Sequence, residues 1–198
     1  LKYTPQKHSL IKQKPNNMAC DITSGFSLGC RDNVGSIKQI YILSGSVASV
    51  TDASEGLISN ISGSGIFYTF ELFRETSDYA ENVTVAPENG TVVYDQTVNA
   101  VFFKMQTSTR NQIKVLAQNP TIRMIVETNN SDATSKYVYV GEEYGVQLLT
   151  SAGGTGTLFG DRNGYTLTFT GREPNPASFV SASNETQLLA RLSGITIA

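Results

Sequence analysis

The sequence has no tryptophan, one histidine, His8, and two cysteines, Cys20 and Cys30, in 198 residues. One imidazole and two thiols cannot supply the four N/S ligands of a structural zinc site, and no metal or cofactor is expected. A hydroxyl nucleophile would also lack its usual histidine base. Lys38, Lys104, Lys114 and Lys136 do not replace it, since none stands in a Ser-x-x-Lys spacing. These absences argue against an enzyme. Charged residues are only 16% of the chain, against roughly 25% in average globular proteins. So sparse a charge implies that part of the surface is covered by a partner. No run of about 18 apolar residues is present, and residues 1–17 lack the apolar centre of a signal peptide. Neither a membrane-spanning helix nor export by that route is expected.

What charge there is lies unevenly. Residues 1–17 hold Lys2, Lys7, Lys12 and Lys14 and no acid, so a +4 leader precedes a body of −6 within a net charge of −2. The expected organisation is a basic N-terminal extension or arm over 1–17 and one β-rich domain over 18–198. The leader reads as an arm meeting a neighbour's acidic surface, as a polyanion-binding tail, or as a solvated terminus. The sequence opens on Leu1, and Met18 followed by Ala19 has the form of a bacterial start; the leader is then either an extension or sequence upstream of that start. The ten-residue spacing of Cys20 and Cys30 permits a disulfide, but two thiols in a chain made in the cytoplasm are more often reduced.

Beyond the leader, apolar runs of four to nine residues alternate with turn residues, the rhythm of an all-β sandwich or barrel. Lys38 to Leu43 and Ser46 to Thr51 flank Ser44-Gly45 and predict a hairpin there. Gly65 to Glu75 alternates with period two and carries aromatics on both faces, so both faces should be covered. Asn82 to Ala86 and Thr91 to Gln106 are separated by Pro87-Glu88-Asn89-Gly90, whose Asn-Gly marks a turn. One short helix is expected over 109–118: Thr109 to Gln112 has capping-box spacing, Ile113, Leu116 and Ala117 form an apolar stripe, and Asn119-Pro120 ends it. Strands follow over Thr121 to Thr128, Lys136 to Gly141, Tyr144 to Thr150 and Tyr165 to Gly171. Glu185 to Leu192 stays ambiguous, with Asn184 placed to cap a short helix, and Gly194 to Ala198 reads as extended.

Several apparent motifs fail on their chemistry. The run Gly153-Gly154-Thr155-Gly156 lacks the Lys and hydroxyl of a phosphate loop, and a strand follows where a dinucleotide site needs a helix. Asp161 and Asn163 begin like a calcium loop, but Arg172 stands where the closing Glu belongs. Five Asn-x-Ser/Thr triplets, at Asn60, Asn82, Asn89, Asn129 and Asn184, follow from an Asn/Ser/Thr-rich composition. The carboxylates Glu71, Glu75, Asp78, Glu81, Glu88 and Asp95 stand against Arg74 alone. Two of them as a glycosidase pair would want an aromatic platform such as Trp; a solvated acidic loop is the simpler reading. A −6 body has no basic stripe for nucleic-acid readout.

Read together, some segments resemble a family. Ala19-Cys20-Asp21-Ile22-Thr23-Ser24-Gly25, Cys30 to Lys38, Glu88-Asn89-Gly90-Thr91, Thr107 to Ala117, and Gly160-Asp161-Arg162-Asn163-Gly164-Tyr165 to Gly171 with Glu173-Pro174 and Pro176-Ala177 are similar to small virion structural proteins of tailed bacteriophages of Bacteroidota and marine bacteria. The resemblance spans roughly 19–180 and lies in the set, not in any one piece. The order of elements, a sandwich with one helix between a long hairpin and later strands, looks like the tail-tube fold.

That resemblance implies a structural, non-enzymatic role in the virion, in a protein made in the bacterial host cytoplasm. Copies would join sheets into rings, usually hexamers, and rings would stack into a tube. The partners are then copies of itself and other virion proteins, with DNA as non-specific cargo and no membrane. Glu71, Glu75, Asp78, Glu81, Glu88 and Asp95 would line the lumen or an inter-ring loop, repelling phosphate, and Lys2, Lys7, Lys12 and Lys14 would belong to an assembly arm. The alternatives are a capsid decoration or head–tail connector protein, and a free-standing carbohydrate- or nucleic-acid-binding β-sandwich.

Overall fold

A computed structural model describes Gly25, Arg31 and residues 33–198; the chain divides into two compact units, 1–32 and 33–198. The 17/18 boundary, the lysine leader and both cysteines lie outside the described residues. The second unit is all-β with two helices: β1 Ile37–Ser54, β2 Leu57–Glu71, β3 Asp78–Ala86, β4 Thr91–Phe103, α1 Thr107–Gln118, β5 Met124–Thr128, β6 Tyr137–Val140, β7 Gln147–Gly154, β8 Gly164–Glu173, β9 Ser178–Val180, α2 Glu185–Ala190 and β10 Leu192–Ile197.

The strands form two sheets. In the first, β1 pairs with β5, β5 with β6, β6 with β9, β9 with β2 and β2 again with β1, which closes a small barrel; β10 adds to β2 in parallel. The second is a four-stranded antiparallel sheet in the order β3-β4-β8-β7. Alternation sorts the side chains between two cores. Tyr41, Leu43, Phe67, Ile125, Tyr137 and Tyr139 fill the barrel. Their neighbours Ile40, Ile42, Met124, Val126, Val138 and Val140 face outward and pack on Val98, Ala100, Leu167 and Phe169 of the second sheet. The first part of β1, Ile37 to Leu43, and strands β5 and β6 are thus buried on both faces, which explains their nearly continuous apolar runs.

The expected hairpin at Ser44-Gly45 is not there. One strand runs through it to Ser54, and the turn comes at Glu55-Gly56, where Gly56 has φ 73°. Gly45 instead serves a close approach: it pairs with Gly65, and a Cβ on it would lie 2.1 Å from the Ser64 carbonyl oxygen. The turn at Pro87 to Gly90 stands as expected, with Gly90 at φ 63°. Helix α1 covers 109–118 but starts two residues earlier, at Thr107, and its N-cap, Gln106, makes no side-chain cap bond. The capping box at Thr109 therefore does not form. Of the predicted stripe, Leu116 is buried and Ile113 packs against the core, while Ala117 is exposed. The segment at Glu185 is helical: the Asn184 Oδ1 accepts from the Gln187 N–H at 2.9 Å. Both faces of β2 are not equally covered, since Phe67 is buried and Phe70 partly so, while Tyr68 is exposed.

Candidate assembly surface

The solvent face of the four-stranded sheet is a hydrogen-bonded polar ladder. Asn99 Nδ2 donates to Asp78 at 3.1 and 3.3 Å, and Thr168 Oγ1 donates to Asn99 Oδ1 at 3.0 Å. Farther along, Thr84 Oγ1 donates to Asp95 at 3.0 Å and Arg172 Nε to its other oxygen at 2.7 Å. The Arg172 hydrogen bond, then that of Thr84, holds the Asp95 carboxyl below the usual carboxylate range. Arg172 is the one cation in the four strands, and Asp95 engages it.

The six predicted carboxylates do not form one cluster. Asp78 and Asp95 share this solvent face. Glu81 alternates to the other side, where it accepts from the Tyr79 hydroxyl at 3.0 Å and the Ala177 N–H at 2.7 Å, so it anchors the segment after β8. Burial, then the Glu81 charge, raises the Tyr79 pKa far above its ordinary value. Glu71 ends β2, Glu75 lies in the β2–β3 connection and Glu88 in the β3–β4 turn, all three exposed. Sequence spacing could not separate them, because a strand of nine residues alone is about 30 Å long.

Among the described residues neither edge strand of the sheet, β3 nor β7, pairs with a further strand, although Ile122 bridges Val146 just before β7 begins. Long bare edges invite pairing with another chain. The strands alternate in direction, so β3 and β7 run oppositely. A copy related by rotation about an axis along the strands would therefore meet β3 with its β7 antiparallel, continuing the pattern across the junction.

Both ends of the sheet are apolar. One end has Val83, Val85 and Val92 exposed at the β3–β4 tip. The other has Phe73 and Phe103, with ring centroids 4.8 Å apart, and the loop tip Leu158-Phe159, with Phe159 fully exposed. Nothing in the periodicity marks Leu158 or Phe159, because both sit in a loop whose glycines dominate its composition.

A second group of charges was not foreseen. A cavity of about 850 Å³ beside the β1–β2 turn is lined by Asp52, Glu55, Arg123, Glu142, Glu143 and Glu173. The Glu173 carboxylate accepts backbone N–H groups of Glu143, Tyr144 and Gly145 at 3.0 to 3.2 Å, and so pins that turn. Burial still raises its pKa above the usual value. Glu142 is raised mainly by burial, and secondarily by the charges of Asp52, Glu173 and Glu143. Arg123 donates to the carbonyls of Glu142 and Glu143, both at 3.3 Å. Of these groups, Glu173 and Arg123 hold the 142–145 loop. Among the described residues no group of three or more His, Cys, Asp or Glu could hold a metal ion, and no helix is long and apolar enough to cross a membrane.

Compared with known proteins, this chain matches no family model, no curated protein and no solved structure.

Proposed function

We propose that this protein is a structural subunit of a tailed-phage virion, of tail-tube type, that assembles with copies of itself and catalyses no reaction. The observation that carries the reading is the four-stranded sheet whose two oppositely running edge strands, β3 and β7, pair with no further strand among the described residues. Repeated edge to edge around an axis, it closes into a ring, and a closed barrel removes the exposed edges. The face between the edges then forms one wall. On that wall the Asp78, Asn99 and Thr168 ladder and the Arg172–Asp95 pair leave no unpaired cation to hold a phosphate backbone. DNA would pass as cargo without sticking. The exposed Val83, Val85 and Val92 at the β3–β4 tip suit stacking of one ring on the next.

Negative-stain electron microscopy and sedimentation velocity of the purified full chain test the reading. Rings or tubes of uniform diameter are expected. A monomer persisting to high concentration, or a protein that only decorates capsids, would replace it with the decoration-protein alternative.

A further inference from the structure

We propose that Leu158 and Phe159 of one copy seat in the cleft that Phe70, Phe73, Val101 and Phe103 line together in the next copy in the ring. This inference rests on the assembly reading and names the contact that locks its junction.

The loop over 155–163 is built, not slack. The Asp161 carboxylate accepts the N–H groups of Thr157 at 2.7 Å and Leu158 at 2.8 Å, and Lys104 N donates to the Asn163 carbonyl at 2.6 Å. This ordered base holds two large apolar side chains in water, Leu158 at 75% and Phe159 at 112% relative exposure. An ordered apolar tip of this kind gains only when another surface covers it.

The receiving surface is a cavity of about 410 Å³ between Phe70, Phe73, Val101, Phe103 and the first turn of α1. Two non-glycine residues at positive φ bracket it, Glu75 at 58° and Lys104 at 68°. Backbone in that region is held against its own preference, and here it fixes the segments that present Phe73 and Phe103.

Topology relates the two features. The tip joins β7 to β8 and the cleft lies at the origin of β3 and the end of β4, so both stand at the same end of the sheet, toward opposite edges. The tip does not fill the cleft of its own copy. Once β7 lies against the neighbouring β3, the neighbour's cleft is about two strand spacings away, roughly 10 Å, within reach of a nine-residue loop.

Charge selects this pairing over a symmetric one. Residues 71–88 carry Glu71, Glu75, Asp78, Glu81 and Glu88 against Arg74, a net −4. Two β3 edges meeting face to face would oppose −4 to −4. The β7 side, 147–163, carries only Asp161, engaged within its loop, and Arg162, which in the junction stands near the neighbour's Glu75 and Asp78.

The test pairs two measurements on the full chain. Leu158→Ser with Phe159→Ser alters only exposed side chains, so folding is preserved, and the concentration needed for assembly should rise at least about tenfold. In a Cys20→Ser, Cys30→Ser background, Phe159→Cys and Phe73→Cys chains are mixed and treated with a short bifunctional maleimide. Cross-linked dimers should form in the mixture and not with either chain alone. Wild-type rings with unchanged assembly of the serine variant and no mixed cross-link would overturn the tip contact while leaving the assembly reading intact. Dominant Phe159→Cys self-cross-links would overturn it in favour of a symmetric β7 junction. Failure of the wild-type protein to assemble at all would overturn both.

Discussion

Gly45 stands directly opposite Gly65 across β1 and β2, both at positive φ, 151° and 137°. A Cβ on Gly65 would lie 2.3 Å from the Ser44 carbonyl oxygen, so the two backbones approach as closely as they do only without side chains. Gly65→Val should destabilise the fold by about 1–3 kcal/mol or more, from conformational strain and overpacking together. Gly56→Asn, at a turn with open space around the Cα, should be nearly neutral. Urea unfolding of the two variants checks the contrast; equal losses would contradict it.

Glu127 is buried at the barrel and wholly satisfied. It receives the Lys38 ammonium at 3.1 Å and that of Lys136 at 3.5 Å, Gln39 Nε2 at 2.7 Å and the Tyr41 hydroxyl at 3.0 Å, while Gln39 also bonds to Tyr41. Burial, then the Glu127 charge, raises the Tyr41 pKa strongly, so the hydroxyl stays a donor. Glu127→Ala should cost about 3–5 kcal/mol, the usual loss when one partner of a buried pair is removed. Lys136→Met should cost more than Lys38→Met, because Lys136 is the more buried of the two lysines. Thermal and urea denaturation of the three variants measures the order.

Glu142 gives a pH dependence of definite sign. Its folded pKa is raised above 4.5, chiefly by burial, so the fold favours the protonated acid. The stabilising contribution is complete below the ordinary pKa and is lost as pH rises through the folded value. Glu142→Gln should therefore gain on wild type between about pH 4 and pH 7, read from unfolding midpoints at each pH. A constant difference across that range would show that Glu142 titrates normally.

Glu173 should behave as a clamp. Its carboxylate satisfies three consecutive backbone donors at 143–145, and Glu173→Ala would leave them unpaired in a part-buried turn. A loss of about 2–4 kcal/mol is expected. Amide hydrogen exchange should speed up first at Glu143, Tyr144 and Gly145; uniform loss of protection would point to a global effect instead.

The sheet's solvent face can be made to hold DNA. Asp78→Lys with Thr170→Lys places two cations on a wall that presents none unpaired. Assembled particles of this variant should retain duplex DNA in a salt-dependent way, whereas wild-type particles should not. Gel mobility at two ionic strengths checks this. Equal retention by both would argue that the face lies away from the passage.

Legibility followed the range of the interactions. Period-two patterning located β8 and the second half of β2, apolar runs located the first part of β1, β5 and β6, and Asn89-Gly90 located a turn, because alternation, apolar clustering and turn chemistry act within a few residues. Ser44-Gly45 misled for the same reason: the residues are those of a turn, but the partner across the strand, Gly65, is twenty residues on and uses the glycine for close approach. Alternation along β3 sets Glu81 on the face opposite Asp78, but only the packing around Ala177 shows that the Glu81 face is the covered one.

By itself the sequence determined an all-β class, the place of α1, the scarcity of charge and the scarcity of histidine and cysteine. These follow from composition and local period. The tertiary structure alone decided that one sheet closes into a barrel, that β5, β6 and the first part of β1 are buried on both faces, that the carboxylates divide between two faces, and that β3 and β7 remain as edges. Each of those depends on pairing between residues far apart in the chain, and pairing is settled by the mutual burial of two cores that no single segment encodes.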